Sequence, residues 1–228
     1  AFIDSQLQTL NIPATVTTLG IYTFARSNRL TEVTFSPNSA VTRIPSAAFQ
    51  ASGLLRITIP ASVTYIEGYA LNTSLLEQVT FAPNSGLQEI SNNVFMGARL
   101  TAIELPASVF SIGSDAFSSN SLLTNVAFAS GSNLRYLGAG ALGNRVTTLS
   151  LPATPVRTGY RFNGWSNTAN GAVVANATTS AIAGQELFAK WIALSSVTFN
   201  STSGSAVANG SFGSGETVAE PAAPTRAG

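Results

Sequence analysis

The sequence predicts a mainly β fold: a curved, leucine-rich solenoid followed by a short β module. Three observations carry this. The pattern L-x-x-I-x-I recurs at LQTLNI (7–12), LTEVTF (30–35), LLRITI (54–59), LEQVTF (76–81), LTAIEL (100–105), LTNVAF (123–128) and VTTLSL (146–151), in steps of 22 to 24 residues. A longer sentence recurs inside it: IPATVTTLGIYTF (12–24), IPASVTYIEGYAL (59–71) and LPASVFSIGSDAF (105–117). The period then stops near residue 155, where aromatic and Asn-Gly motifs take over. A repeat of this length is one supersecondary unit that buries its apolar face only by stacking on its neighbours.

Numbered from the anchors at Leu7, Leu30, Leu54, Leu76, Leu100, Leu123 and Val146, the rungs alternate in type. Odd rungs continue into a corner with Pro13, Pro60, Pro106 or Pro152; even rungs continue into longer turns, SPNSAV (36–41), APNSGL (82–87) and ASGSNL (129–134). The thirteen-residue sentence recurs because every second rung needs the same corner. The first strand of each rung sets β-branched and apolar residues two apart with Thr between them, as a half-buried strand prefers. A second apolar pair follows: Val16/Leu19, Val41/Ile44, Val63/Ile66, Leu87/Ile90, Val109/Ile112 and Leu134/Leu137. Five residues on stands a bulky anchor: Phe24, Phe49, Leu71, Phe95, Phe117 and Leu142. Phe2 fits this slot, so residues 1–6 are expected to finish a rung. Stacking predicts a ladder of these anchors, looser where Leu71 and Leu142 replace Phe.

Taken together, L-x-x-I-x-I-P-x-S-V-x-x-I-G-x-x-A-F resembles the BspA-like class of leucine-rich repeat, over residues 1–153. The resemblance implies an extracellular, secreted or wall-attached protein that adheres to or recognises a partner. Within 154–192, Gly159-Tyr160, Phe162, Gly164-Trp165 and Leu187, Ala189-Lys190-Trp191 resemble the C-terminal half of a Listeria–Bacteroides repeat. Residues 193–228 resemble the N-terminal half of a following copy. That resemblance implies a β-grasp-like module with a spacer role. Two arrangements are open for 193–228: pairing with 154–192 as a permuted sheet, or partial disorder, given its Ser and Gly content.

Composition narrows the function. The chain is 45% hydrophobic and 9% charged with a net charge of +1, and its eleven cationic residues are spread thinly. No basic cluster is present to neutralise nucleic-acid phosphates. Without Cys or His, thiol nucleophiles, His bases and Cys/His zinc sites are excluded. No apolar run is long enough to span a bilayer, so no membrane insertion is expected. Catalysis by a carboxylate pair is not expected either: Glu32, Glu77 and Glu104 fall on different rungs or columns, where two acids about 5–10 Å apart are needed. LPATP (151–155) lacks the final Gly of a sortase signal and reads as another Pro corner. GAGALGN (138–144) lacks the Lys of a phosphate loop. The sequons at Asn72, Asn176, Asn200 and Asn209 read as chance, and the interrupted Thr column at Thr34, Thr58 and Thr80 as β propensity. No cofactor is expected.

Recognition is therefore the predicted function, non-enzymatic and through the solenoid surface; a purely structural stalk is the alternative. Aromatic and arginine side chains carry interface energy. They stand at outward positions of the second ladder: Arg43, Tyr65, Glu89 and Tyr136 in one column, Phe110 and Arg135 in the next, Tyr22 and Tyr69 in a third. These eight are the candidate binding residues, unless their rings lie flat over neighbouring rungs. The first-strand face, with Thr9, Glu32, Arg56, Gln78 and Glu104, is a second candidate surface. The expected partner is an extracellular host or neighbouring-cell protein or glycan. Open edges at both solenoid ends predict weak self-association.

Overall fold

The computed structural model describes residues 2–73, 75–146, 148–150, 155–173, 186–197 and 210–214. The described residues form strands and turns, without helix, stacked as a solenoid. The first strand of each rung is β1 (Thr9–Ile12), β2 (Glu32–Phe35), β4 (Arg56–Ile59), β6 (Gln78–Phe81), β8 (Ala102–Leu105), β10 (Asn125–Phe128) and β12 (Thr148–Ser150). The second is β3 (Arg43–Ile44), β5 (Tyr65–Ile66), β7 (Glu89–Ile90), β9 (Ser111–Ile112) and β11 (Tyr136–Leu137). β13 (Tyr160–Ser166), β14 (Leu187–Val197) and β15 (Gly210–Gly213) follow. Pairing between rungs is parallel, with each residue opposite its repeat equivalent: Leu10 opposite Val33, Ile57 opposite Val79, Val126 opposite Ile103.

The repeat residues form the core. Leu30, Leu54, Leu76, Leu100 and Leu123 are buried, as are Ile44, Ile66, Ile90, Ile112 and Leu137 of the second ladder. The bulky anchors line up. Phe2 stacks on Phe24 and Phe24 on Phe49, both at 5.4 Å between ring centroids, and Phe95 stacks on Phe117 at 5.0 Å. Leu71 sits between the two groups at 0% exposure, and Leu142 closes the series at 7%. Each such side chain contributes roughly 1.5–3 kcal/mol on burial. The series weakens at its first member, Phe2, which is 56% exposed.

The third side of each rung is a stack of turns in which left-handed residues recur at fixed positions. Two residues before each anchor stand Tyr22, Ala47, Tyr69, Asn93, Asp115 and Gly140, with φ between 53° and 63°. Two residues after it, Arg26, Ala51, Gly97 and Ser119 are left-handed again. This conformation costs a side-chain-bearing residue roughly 1–2 kcal/mol. It lets the anchor's N–H reach the next rung: Phe24 to Ala48 O (2.8 Å), Phe49 to Ala70 O (2.9 Å), Leu71 to Val94 O (3.1 Å), Phe95 to Ala116 O (2.8 Å) and Phe117 to Ala141 O (2.7 Å). The buried turn backbone is thereby satisfied without a strand.

Odd and even rungs are joined unequally on the first-strand face. From odd to even, β1–β2, β4–β6 and β8–β10 each pair over four residues. The ladder then runs on, through Ser36 N–H to Ile12 O, Ala82 N–H to Ile59 O and Ala129 N–H to Leu105 O. From even to odd, the equivalent donors would be Pro60 and Pro106, which have no N–H. At these two seams β2 pairs with β4 only at Glu32–Arg56 and Val33–Ile57, and β6 and β8 are unpaired, whereas the third even-to-odd step, β10–β12, pairs over three residues. This side is accordingly split into a four-stranded and a three-stranded sheet, while β3, β5, β7, β9 and β11 run unbroken.

At residue 160 the parallel pattern gives way to antiparallel strands. β14 pairs with β13, with a bulge at Phe162/Gly164, and its far end, Leu194–Val197, pairs with Gly213–Gly210 of β15. β15 thus pairs within the expected segment 193–228, whose residues Ala193 and Leu194 in turn bond to Tyr160 and Gly159, and β14 runs through the expected boundary at 192. The near end of β14 lies antiparallel on β11, with Tyr136 opposite Phe188 and Leu137 opposite Leu187. Leu187 and Trp165 are buried and join the solenoid core. The expectation of an open edge at this end is corrected for the second-strand side, where β14 covers β11 and self-association would require displacing it; on the first-strand side β12 is the outermost described strand. The sequons at Asn176, Asn200 and Asn209 and most of the LPATP stretch lie outside the described residues. Asn72 is used by the fold, its Nδ2 donating to Met96 O at 2.6 Å.

Candidate binding face

The eight candidate residues are brought together in part. Arg43, Tyr65, Glu89, Ser111 and Tyr136 occupy successive strands of the unbroken sheet in exact lateral register, so one outward column crosses five rungs about 4.8 Å apart. Tyr65, Glu89 and Tyr136 are half-buried in this column, and Arg43 is exposed. The Arg43 guanidinium lies 4.8 Å from the Tyr65 ring centroid and 2.9 Å from Glu67 Oε1. Glu67 Oε2 in turn accepts from Ser46 N–H at 3.0 Å. A cation held by a ring and a carboxylate is pre-oriented, which lowers the entropy lost on contact with a partner.

Phe110 and Arg135 make a second such pair in the adjoining column. Arg135 Cζ stands 5.8 Å from the Phe110 ring centroid, and Arg135 Nη2 donates to Asn133 Oδ1 at 3.3 Å. Tyr22 and Tyr69 are set apart on the turn side, with Ala47 between them in the stack. They are the most open of the candidate rings, at 47% and 41% exposure.

Tyr136 stands differently. Its hydroxyl donates to Glu186 Oε1 at 2.6 Å, and its ring meets Phe188 at 5.3 Å. The hydrogen bond to the Glu186 carboxylate, with burial second, raises the Tyr136 pKa above its ordinary 10.0. The side chain belongs to the joint with β14, so the free column is Arg43, Tyr65, Glu89 and Ser111. Glu67, Glu186 and Phe188 were not among the expected residues. Glu67 was the most legible of them, because it interrupts an I-G motif at Ile66-Glu67-Gly68. The partnership of Tyr136 with Glu186 bridges fifty residues and has no local signal.

On the first-strand face, Thr9, Glu32, Arg56 and Gln78 stand in one column, and Glu104 holds the repeat position of Thr58 and Thr80. Thr58 and Thr80 hydroxyls lie 2.7 Å apart. Two cavities of about 500 Å³ each open at the even-to-odd seams of this face. Among the described residues no cluster of metal-ligating side chains occurs, and no helix is long and apolar enough to cross a membrane.

Stacked parallel rungs around an aligned Leu, Ile and Phe core define a leucine-rich-repeat solenoid. Residues 1–124 and 42–155 match the model of the BspA type leucine rich repeat region, in six copies, and the chain belongs to that family. Residues 143–190 and 196–228 match the Listeria-Bacteroides repeat domain. Among solved structures, the chain is similar to the pneumococcal vaccine antigen PcpA, at 27% identity and a TM-score of 0.54, over 59% of this chain and 33% of that one. It thus spans about one third of that relative's length. A leucine rich cell surface protein from Faecalibacterium prausnitzii is 23% identical, with a TM-score of 0.40, over 72% of this chain and 44% of that one. No curated protein matches the sequence.

Proposed function

We propose that this chain is a non-enzymatic recognition segment of a cell-surface protein, which adheres to an extracellular protein or glycan through the outer face of its unbroken sheet. The observation that carries this reading is the column Arg43–Tyr65–Glu89, flanked by the Phe110/Arg135 pair. It presents pre-oriented guanidinium and aromatic groups on a rigid, repeat-built surface. Tyr22 and Tyr69 would extend the contact around the turn side. The surface location draws support from the similar solved protein PcpA being a vaccine antigen. The absence of Cys and His removes the commonest catalytic groups.

The test is a binding array of extracellular proteins and glycans probed with the whole chain, followed by Arg43→Ala with Tyr65→Ala. Loss of more than about tenfold in affinity for the captured partner, with unchanged circular dichroism, is expected of central contacts. Unchanged affinity would move the contact off this face.

A spacer role is the second reading. Its support is the way β14 continues the solenoid sheet into β13. In that case the array captures nothing, and the double variant has no phenotype.

A further inference from the structure

The two cavities on the first-strand face are one site written twice. The first is lined by Phe35, Asn38, Ser39, Thr58, Pro60 and Ser62 among others, and the second by the residues two rungs on: Phe81, Asn84, Ser85, Glu104, Pro106 and Ser108. Ala82 lines both, so the two are consecutive stretches of one track. Each exists because a proline closes the odd rung. Pro60 and Pro106 cannot donate to Phe35 O and Phe81 O, and the strands part at those places. Each groove therefore offers a carbonyl acceptor lacking that ladder donor, a half-buried ring, a proline face, and exposed hydroxyl and amide groups.

We propose that these twin grooves bind a linear, uncharged polysaccharide, lying across the rungs with one short stretch seated in each groove. The chemistry fits on three counts. Sugar hydroxyls donate and accept, matching the exposed Asn38/Asn84 and Thr34/Thr80 and the two carbonyls. The C–H face of a pyranose suits the Phe and Pro surfaces. No cationic residue lines either groove, and Glu104 stands in one of them, which disfavours an anionic chain. The spacing fits as well: an extended hexose chain advances by about one strand width per sugar, so grooves two rungs apart, about 9.6 Å, meet every second sugar in the same orientation. A polyproline-type peptide has a similar pitch. It offers mainly carbonyl acceptors, though, and calls for ridges of exposed aromatics that these grooves lack. The site is separate from the Arg43–Tyr65 column and does not depend on it.

The test is calorimetric titration of the whole chain with uncharged linear gluco-oligosaccharides of increasing length, beside anionic oligosaccharides and a proline-rich peptide. Affinity is expected to rise by about a hundredfold once the oligosaccharide is long enough to engage both grooves. Ala82→Trp, which fills the point shared by the grooves, should abolish that rise, and Tyr65→Ala should leave it intact. Should Ala82→Trp fail to fold, Asn38→Gly with Asn84→Gly serves: both positions have positive φ, 61° and 56°, which glycine adopts freely. That pair should weaken binding by at least about tenfold, in line with the loss of central contacts. Absence of binding by every uncharged oligosaccharide, insensitivity to the groove variant that folds, or preference for the anionic chain or the peptide would overturn the proposal.

Discussion

Tyr136, on the last short strand of the solenoid, donates its hydroxyl to Glu186 Oε1 at 2.6 Å, and this contact ties the repeat stack to the antiparallel strands that follow. Ala189 N–H donates to Arg135 O at 2.8 Å beside it, so the joint is made by backbone and side chain together.

The joint should respond to alkali. The Tyr136 pKa is raised in the folded chain, so the neutral phenol is the favoured form there. Its stabilisation is fully present below the ordinary value of 10.0 and is lost as pH rises through the higher folded value. Spectroscopic titration of the tyrosines should show a late step from Tyr136, above the ordinary value. Tyr136→Phe should remove that late step.

Removing the covering strand should expose β11. A chain ending at residue 154 leaves Arg135 O without the Ala189 N–H it now accepts from, and bares the apolar surface that Leu187 and Trp165 now cover. Such edges pair with other chains. Sedimentation should show dimers of the shortened chain at concentrations well below any at which the intact chain associates.

The anchor ladder should be graded by position. Phe95→Ala empties a fully buried slot stacked on Phe117 and should cost about 3–5 kcal/mol. Phe2→Ala, in the same repeat slot but 56% exposed, should cost less than about 1.5 kcal/mol. Denaturant melts of the two variants compare the same chemistry at the centre and at the end of one ladder.

Glycine substitutions should separate close approach from backbone handedness. A Cβ at Gly53 would run into the Asn28 carbonyl oxygen, so Gly53→Ala should destabilise by more than about 2 kcal/mol. At Gly97 the Cβ meets nothing, and the cost is that of a left-handed alanine, about 1 kcal/mol after the gain from a stiffer unfolded chain. Conversely Ala51→Gly, at φ 52° and exposed, should stabilise by about 0.5 kcal/mol. Thermal melts check all three.

The rungs were legible because Leu30, Leu54, Leu76 and their successors repeat at a fixed step, and a residue that must stack on its own equivalent can hardly be placed otherwise. The column Arg43–Tyr65–Glu89 followed from the same register. Three features were not legible. Left-handed turns at Tyr22, Ala47 and Tyr69 use residues with no preference for that conformation; the hydrogen bonds to the next rung impose it, and those appear only once the rungs are stacked. The covering of β11 by β14 joins Tyr136 to residues fifty positions away, outside any period. The twin grooves arise from a donor that is missing at Pro60 and Pro106. The prolines were read as corners, and their effect on the neighbouring strand belongs to the stacked state.

The parting of β6 from β8 also sets how the stack yields to load. β7 and β9 remain hydrogen-bonded directly behind that gap, so they act as a pivot, and bowing the solenoid is absorbed by widening the gap in front of them. Stiffness is thus uneven around the circumference: one flank tolerates flexure at rungs four and five, and the opposite flank resists it. Tension applied between the two ends would change the mouth of the groove between Thr80 and Glu104 before it disturbed any other part of the stack.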